Sequence, residues 1–251
     1  MDKRGKSIYA FVDAANLFYG GERSLHWKID YEKLIKFLRE KFSVTKVFYY
    51  AGVDVDQYKE EKKEIDLVKL VKYYEGELLK KDRTEEEMVL LETHLKRAMF
   101  YRDLKRFGYE LRIKPTKVFT SMEGVVTTKA NCDVDLTFDM MRFMSQYNEA
   151  VVMSGDGDFA PILEYLKNKK KKIRVLARAE RTAREMKEIG GDDFIDFRSI
   201  RKEVEADKVK KDVSRKSEIA TSSTPRNDVV RPQMIDRKPF VKKVPVFRKG
   251  L

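Results

Sequence analysis

Two closely spaced carboxylates, Asp156 and Asp158, stand in the run Ser154-Gly155-Asp156-Gly157-Asp158-Phe159, directly after the apolar stretch Ala150-Val151-Val152-Met153. Leu163, Tyr165 and Leu166 follow at helix-like spacing, so both acids fall where a buried strand ends and a helix begins. The N-terminal part repeats the arrangement: the apolar run from Ser7 to Val12 stops at Asp13, and Asn16 follows. Asp133 opens a third candidate helix. Acids at the ends of separate elements are what a carboxylate metal site requires. A phosphodiester is anionic, and a divalent cation held by acids offsets its charge, acidifies a water and stabilises the leaving oxygen. Each acid also has a plainer reading, because Asp-Gly is turn chemistry and Asp13 or Asp158 could cap a helix.

The helix after Asn131 sharpens the question. Projected at about 100° per residue, Val134, Leu136, Phe138, Met140, Met141, Phe143, Met144 and Tyr147 form a broad apolar face. Asp135, Asp139, Arg142 and Gln146 fill the opposite, polar side, where Asp139 and Arg142 are expected to pair in solvent. Asp133 falls within the apolar arc. A charge there is costly unless compensated, and a metal at a sheet edge would compensate it; a first-turn acid favoured by the helix N-terminus is the alternative.

The elements that must position these acids alternate. Strand-like runs lie at Ile8–Asp13, Val44–Ala51, Tyr109–Ile113, Ala150–Ser154, Ile173–Ala177 and Phe194–Phe197, with helical patterns between most of them, which predicts a parallel α/β sheet covered by helices. Asp30 is placed to cap a helix over Tyr31–Lys41, with Leu34, Phe37 and Leu38 on one face. Lys117–Thr120 and Val125–Thr128 around Glu123-Gly124 read as a small hairpin. Residues 56–106 read as two long charged helices broken near Lys81-Asp82-Arg83-Thr84, with Thr84 and Glu87 as a capping box. This helical hairpin interrupts the alternation as an insertion. From Glu203 apolar periodicity fades, and prolines recur at Pro225, Pro232, Pro239 and Pro245. We divide the chain into a domain over 1–202 and a basic, disordered tail over 203–251.

The net charge of +12 favours polyanionic partners. No window is apolar enough to span a membrane, and the run after Met1–Lys6 is too short for a signal segment. A single cysteine, Cys132, excludes an intramolecular disulfide, so a cytoplasmic setting is expected. Cys132 reads as a small buried residue rather than a nucleophile. With two histidines, His26 and His94, neither in a cluster, a His/Cys zinc site is disfavoured. Oxygen ligands would suit Mg²⁺ or Mn²⁺.

Phe11-Val12-Asp13-Ala14-Ala15-Asn16, Lys129-Ala130-Asn131-Cys132-Asp133-Val134-Asp135-Leu136 and the Ser154–Phe159 run together resemble the NYN domain, in its LabA-like (DUF88) group within the PIN-like nuclease superfamily. The resemblance covers about residues 5–200. It implies a PIN-like, Rossmann-like sheet and a metal-dependent ribonuclease site in which Asp13, Asp133, Asp156 and Asp158 are the catalytic, metal-holding acids, with Asn16, Lys129 and Ser154 supporting them. Two departures stand out: Asp135 replaces the small or apolar residue of relatives, and the helices of 56–106 exceed the usual connection.

Lys169, Lys170, Lys171, Lys172, Arg174 and Arg178 follow the helix that begins at Asp158. They read either as a solvated helix end or, the reading adopted, as an RNA phosphate track leading toward the acids. The tail from Glu203 carries thirteen Lys/Arg against seven Asp/Glu, which suits RNA, while its Pro-Phe-Val and Val-Pro-Val-Phe segments suit a protein partner. The leading function is hydrolysis of RNA phosphodiesters by an endonuclease. The rivals are a non-catalytic RNA-binding or scaffold protein and a phosphohydrolase acting on a small ester. No Walker-type phosphate loop is present.

Overall fold

A computed structural model describes residues 7–17, 25–53, 65–120 and 126–207, the side chains of 117–129 excepted. Six parallel strands form the main sheet: β1 (Ile8–Asp13), β2 (Val44–Val53), β3 (Glu110–Pro115), β6 (Glu149–Met153), β7 (Lys172–Ala177) and β8 (Phe194–Asp196), in the order β3-β2-β1-β6-β7-β8. These are the six expected runs, with boundaries shifted by one or two residues. β4 (Lys117–Thr120) and β5 (Val126–Lys129) make the expected hairpin, a separate small unit.

Apolar runs become central strands here because both faces of a parallel sheet are covered. Along β1, Ala10 and Val12 enter one core layer and Tyr9 and Phe11 the other, following the two-residue period of a strand. The first layer is covered by α1 (Tyr31–Phe42), α2 (Leu67–Leu78) and α3 (Glu85–Phe107). Asp30 caps α1 by accepting from the N–H groups of Glu32 and Lys33, and Leu34, Ile35 and Leu38 are buried. Thr84 and Glu87 close a capping box on α3, and Gly108, at φ 98°, ends it. The helical insertion is therefore α2 and α3; residues 54–64, where its beginning was expected, lie outside the described residues. The second layer is covered by α4 (Asp133–Arg142), α5 (Ala160–Asn168) and α6 (Arg184–Gly190). A last turn, α7 (Arg201–Val204), buries Val204, and Ile29 bridges to Glu205. Residues 208–251 lie outside the described residues.

The helical projection of α4 fails on both of its faces. Asp139 is not in solvent: it is 3% exposed and accepts from Tyr50 Oη at 3.1 Å and Arg112 Nε at 2.8 Å, with Arg142 at 2.7 Å. Val134 and Phe138, counted on the apolar arc, are exposed. The helix turns Leu136, Asp139 and Met140 inward because β2 and β3 supply Tyr50 and Arg112 as partners for a buried carboxylate. A one-dimensional pattern contains no information about partners on other strands.

Candidate active site

From β1 the chain proceeds outward through β2 to β3, then returns to the other side of β1 as β6 and continues to β7 and β8. The crevice at the carboxyl ends of β1 and β6 is thus the topological switch point, where open α/β sheets bind ligands. Val12 pairs with Met153 and Asp13 with Tyr50, so Asp13 and Ser154 emerge at the same level.

Local hydrogen bonds hold the two loops together. Asp13 Oδ1 accepts from the N–H groups of Ala15 (3.0 Å) and Asn16 (3.1 Å). Ser154 Oγ donates to Asp13 Oδ2 at 3.0 Å and accepts from Asp156 N at 3.2 Å. Asn16 Oδ1 accepts from Gly155 N at 3.0 Å. A side chain at Gly155 would collide with Thr182, so the close approach of this loop to the segment after β7 requires glycine. Asp156 Oδ1 accepts from Asp158 N, capping the turn Gly157–Phe159. The capping reading of Asp13 is correct, whereas the cap of the second loop is Asp156 and not Asp158; Asp13 and Asp156 also face a shared space.

Asp13, Asn16, Asp133 and Asp156 line one cavity of about 870 Å³. Asp158 is exposed beside it. Burial raises the Asp13 carboxyl above its ordinary range, against hydrogen bonds from Asn16 and Ser154, and the charge of Asp133 adds to the rise. Desolvation raises Asp133 as well, followed by the charges of Asp156 and Asp158, with Lys114 opposing. Asp133 is thus the acid common to these interactions: its charge acts on Asp13, and those of Asp156 and Asp158 act on it. Among the described residues, no three His, Cys, Asp or Glu side chains gather closely enough to be a direct ligand set for a metal ion. The donors are all carboxylate oxygens. Asp133 accepts no hydrogen bond from any described residue, whereas both Asp13 oxygens do. This set fits a hard divalent cation of the Mg²⁺ kind, which keeps several waters and needs only one or two carboxylates. Cys132 lines the cavity, but burial pushes its thiol up to about 11, so it is no thiolate.

The lysines of the basic run lie elsewhere; Arg178 alone follows the carboxyl end of β7. Glu149 pairs with Lys172 at the amino ends of β6 and β7, about 16 Å along β7 from its carboxyl end at the usual strand rise. α5 starts beside the acids and runs back, antiparallel to the strands, so Lys169, Lys170, Lys171 and Lys172 end at the opposite edge of the sheet. Lys171 Nζ donates to Tyr147 O, Lys172 pairs with Asp193, Arg174 pairs with Glu149 and Asp193, and Arg178, after β7, pairs with Glu180. A track along α5 toward the acids is therefore not what the geometry provides. The Lys129 side chain is outside the described ones.

Sequence reasoning missed the cations and rings that share the cavity: Lys28, Arg97, Tyr31, Phe100 and Tyr101. It also missed Lys114, whose ammonium pairs with Asp135. The only available signal was the spacing of Arg97, Phe100 and Tyr101, which puts them on one face of α3.

A doubly wound parallel sheet with carboxylates at its switch point defines a PIN-like α/β domain with an acidic crevice. The chain belongs to the NYN domain family, whose model matches residues 7–198. It is 25% identical over 207 residues to the low amplitude and bright protein LabA of Synechococcus elongatus, covering 80% of this chain and 89% of LabA. A Vibrio parahaemolyticus protein of unknown function shares the fold with a TM-score of 0.51 at 17% identity, over 78% of this chain and 96% of that one. The bacteriophage T5 D15 protein, co-crystallised with metal ions, aligns more loosely, with a TM-score of 0.38 at 16% identity over 72% of this chain and 59% of its own. Among the described residues, no helix is long and apolar enough to cross a membrane.

Proposed function

We propose that the chain is a metal-dependent ribonuclease that hydrolyses RNA phosphodiesters endonucleolytically. The observation that carries this reading is the convergence of Asp13, Asp133 and Asp156 on one cavity at the switch point. Membership of the NYN family supports a nucleic-acid substrate.

Asp13, Asp133 and Asp156 would hold Mg²⁺ or Mn²⁺, directly or through bound water. When bound, the cation supplies charge neutralisation and an acidified water. The chain does the rest. Ser154 and the Ala15 and Asn16 amides orient the Asp13 carboxylate, so it need not reorganise when substrate arrives. Asn16 locks the Asp156 loop against the β1 loop. Asp158, exposed beside the cavity, would orient the attacking water, and Lys129 would contact the scissile phosphate. Without a cation nothing offsets the charge of the acids on the scissile phosphate, so activity should require metal.

The looseness of the acid cluster favours the second reading, a non-catalytic RNA-binding protein. Purified protein with labelled single-stranded and structured RNAs, in Mn²⁺, Mg²⁺ or EDTA, decides between them. Cation-dependent cleavage that Asp156→Asn abolishes supports the nuclease. RNA binding with no cleavage in either cation rejects it, and activity on small phosphate esters alone selects a phosphohydrolase.

A further inference from the structure

The inserted helical hairpin contributes a wall of the acidic cavity whose chemistry the acids do not explain. On α3, Arg97 and Phe100 stand one turn apart and both line the cavity. Tyr101 Oη donates to Gly52 O at 2.8 Å and so anchors that turn of α3 to the end of β2. Phe100 meets Tyr31 edge to face, with ring centroids 4.9 Å apart. Lys28 lines the same cavity from the segment before α1. Neither Arg97 nor Lys28 has an ion pair among the described residues. Arg112, Arg142, Arg174 and Arg178, by contrast, are each held by a carboxylate. Two unpaired cations and two aromatic rings lining the same cavity as the acids match a nucleotide: phosphate on the cations, base on the rings.

We infer that the inserted hairpin and the segment before α1 make this wall a nucleotide subsite, in which Arg97 and Lys28 bind phosphates flanking the acids and Phe100 and Tyr31 take an unpaired base, so that the subsite favours unpaired strands; this rests on the nuclease reading for the role of the acids alone. The strand preference follows from access. Bases in a duplex are paired and stacked, so rings inside a cavity cannot reach their faces, whereas an unpaired base can turn out of its strand and stack. An A-form duplex would offer the cavity backbone only.

The test uses the full chain in EDTA, where hydrolysis is off, with a labelled single-stranded RNA and the same sequence in a blunt duplex, by fluorescence anisotropy across a salt series. Arg97→Gln and Lys28→Gln change exposed residues and leave the core intact. Each should weaken single-strand binding by about fivefold at low salt. Each should also flatten the slope of log affinity against log salt by about 0.7. Lys96→Gln, the same charge change on the solvent side of α3, should leave both unchanged. Duplex should bind more weakly than single strand, and the Arg97 and Lys28 changes should not affect it. Equal affinity for the two RNAs, equal effects of Arg97→Gln and Lys96→Gln, or no RNA binding at all overturns the inference. Dependence on Arg97 in EDTA without cleavage in Mn²⁺ would sustain this binding site and reject the nuclease reading alone.

Discussion

Asp139→Ala should destabilise the domain by about 3 kcal/mol, at the lower end of the range for removing one partner of a buried ion pair. The site explains why the lower end applies. Asp139 is 5% exposed in its side chain and bonds Tyr50, Arg112 and Arg142, but Arg112 and Arg142 are 32% and 46% exposed and can turn to water once released. The Tyr50 hydroxyl cannot, because Tyr50 is 1% exposed, and an orphaned buried hydroxyl costs about 1–3 kcal/mol by itself. For a domain of this size the melting temperature should fall by about 6–12 °C, at about 2–4 °C per kcal/mol. Asp135→Ala, four residues earlier on α4, is the comparison. Its pair with Lys114 is 47% and 37% exposed, so it should cost under about 1 kcal/mol. Urea titrations with a common m value give both numbers. Adding Tyr50→Phe to Asp139→Ala should restore part of the loss, because it removes the orphaned hydroxyl. Equal small losses for Asp139→Ala and Asp135→Ala would refute the buried network and return Asp139 to solvent.

Asp133→Asn should abolish cleavage and yet raise the melting temperature in EDTA, since it removes a carboxyl held up by desolvation and by Asp156 and Asp158; Mn²⁺ should stabilise the wild type and not this variant, as differential scanning fluorimetry would report. The pH dependence follows in sign. Asp13 and Asp133 titrate above the unfolded value of 3.8, so the metal-free fold binds more protons than the unfolded chain just above that value, and stability from these two groups falls as pH rises through the raised range. The stability gap between wild type and Asp133→Asn should therefore be widest near neutrality and close on acidification; a gap independent of pH would contradict the shift. Gly52→Ala should cut cleavage more than stability, because its Cβ meets Ala130 Cβ and pushes on the segment leading to Asp133, and Ala130→Gly in the same chain should restore the rate. A protein shortened after Asp207 keeps Val204 and the Ile29–Glu205 bridge, and should cleave short RNA normally while binding long RNA more weakly at low salt; identical salt slopes for both lengths would assign the tail to a protein partner instead.

Local chemistry made the elements and the acids legible. Strands buried on both faces must be apolar runs, helix starts need caps such as Asp30 and Thr84, and Asp13 and Asp156 stop strands in a way visible from their neighbours alone. Everything that depends on which elements become neighbours was decided by the tertiary structure. Asp139 is buried because Tyr50 and Arg112 come from strands 89 and 27 residues away in the chain. The lysines after α5 lie at the far edge because a parallel crossover must carry its helix back across the sheet before the next strand begins. Arg97 enters the acidic cavity because α3 packs against the end of β2 through Tyr101 and Gly52, and Lys28 reaches the same cavity from the segment before α1. Periodicity records which side of an element is apolar; it contains nothing about the element opposite, and it is the opposing element that sets whether a charge is buried, paired or left for a ligand.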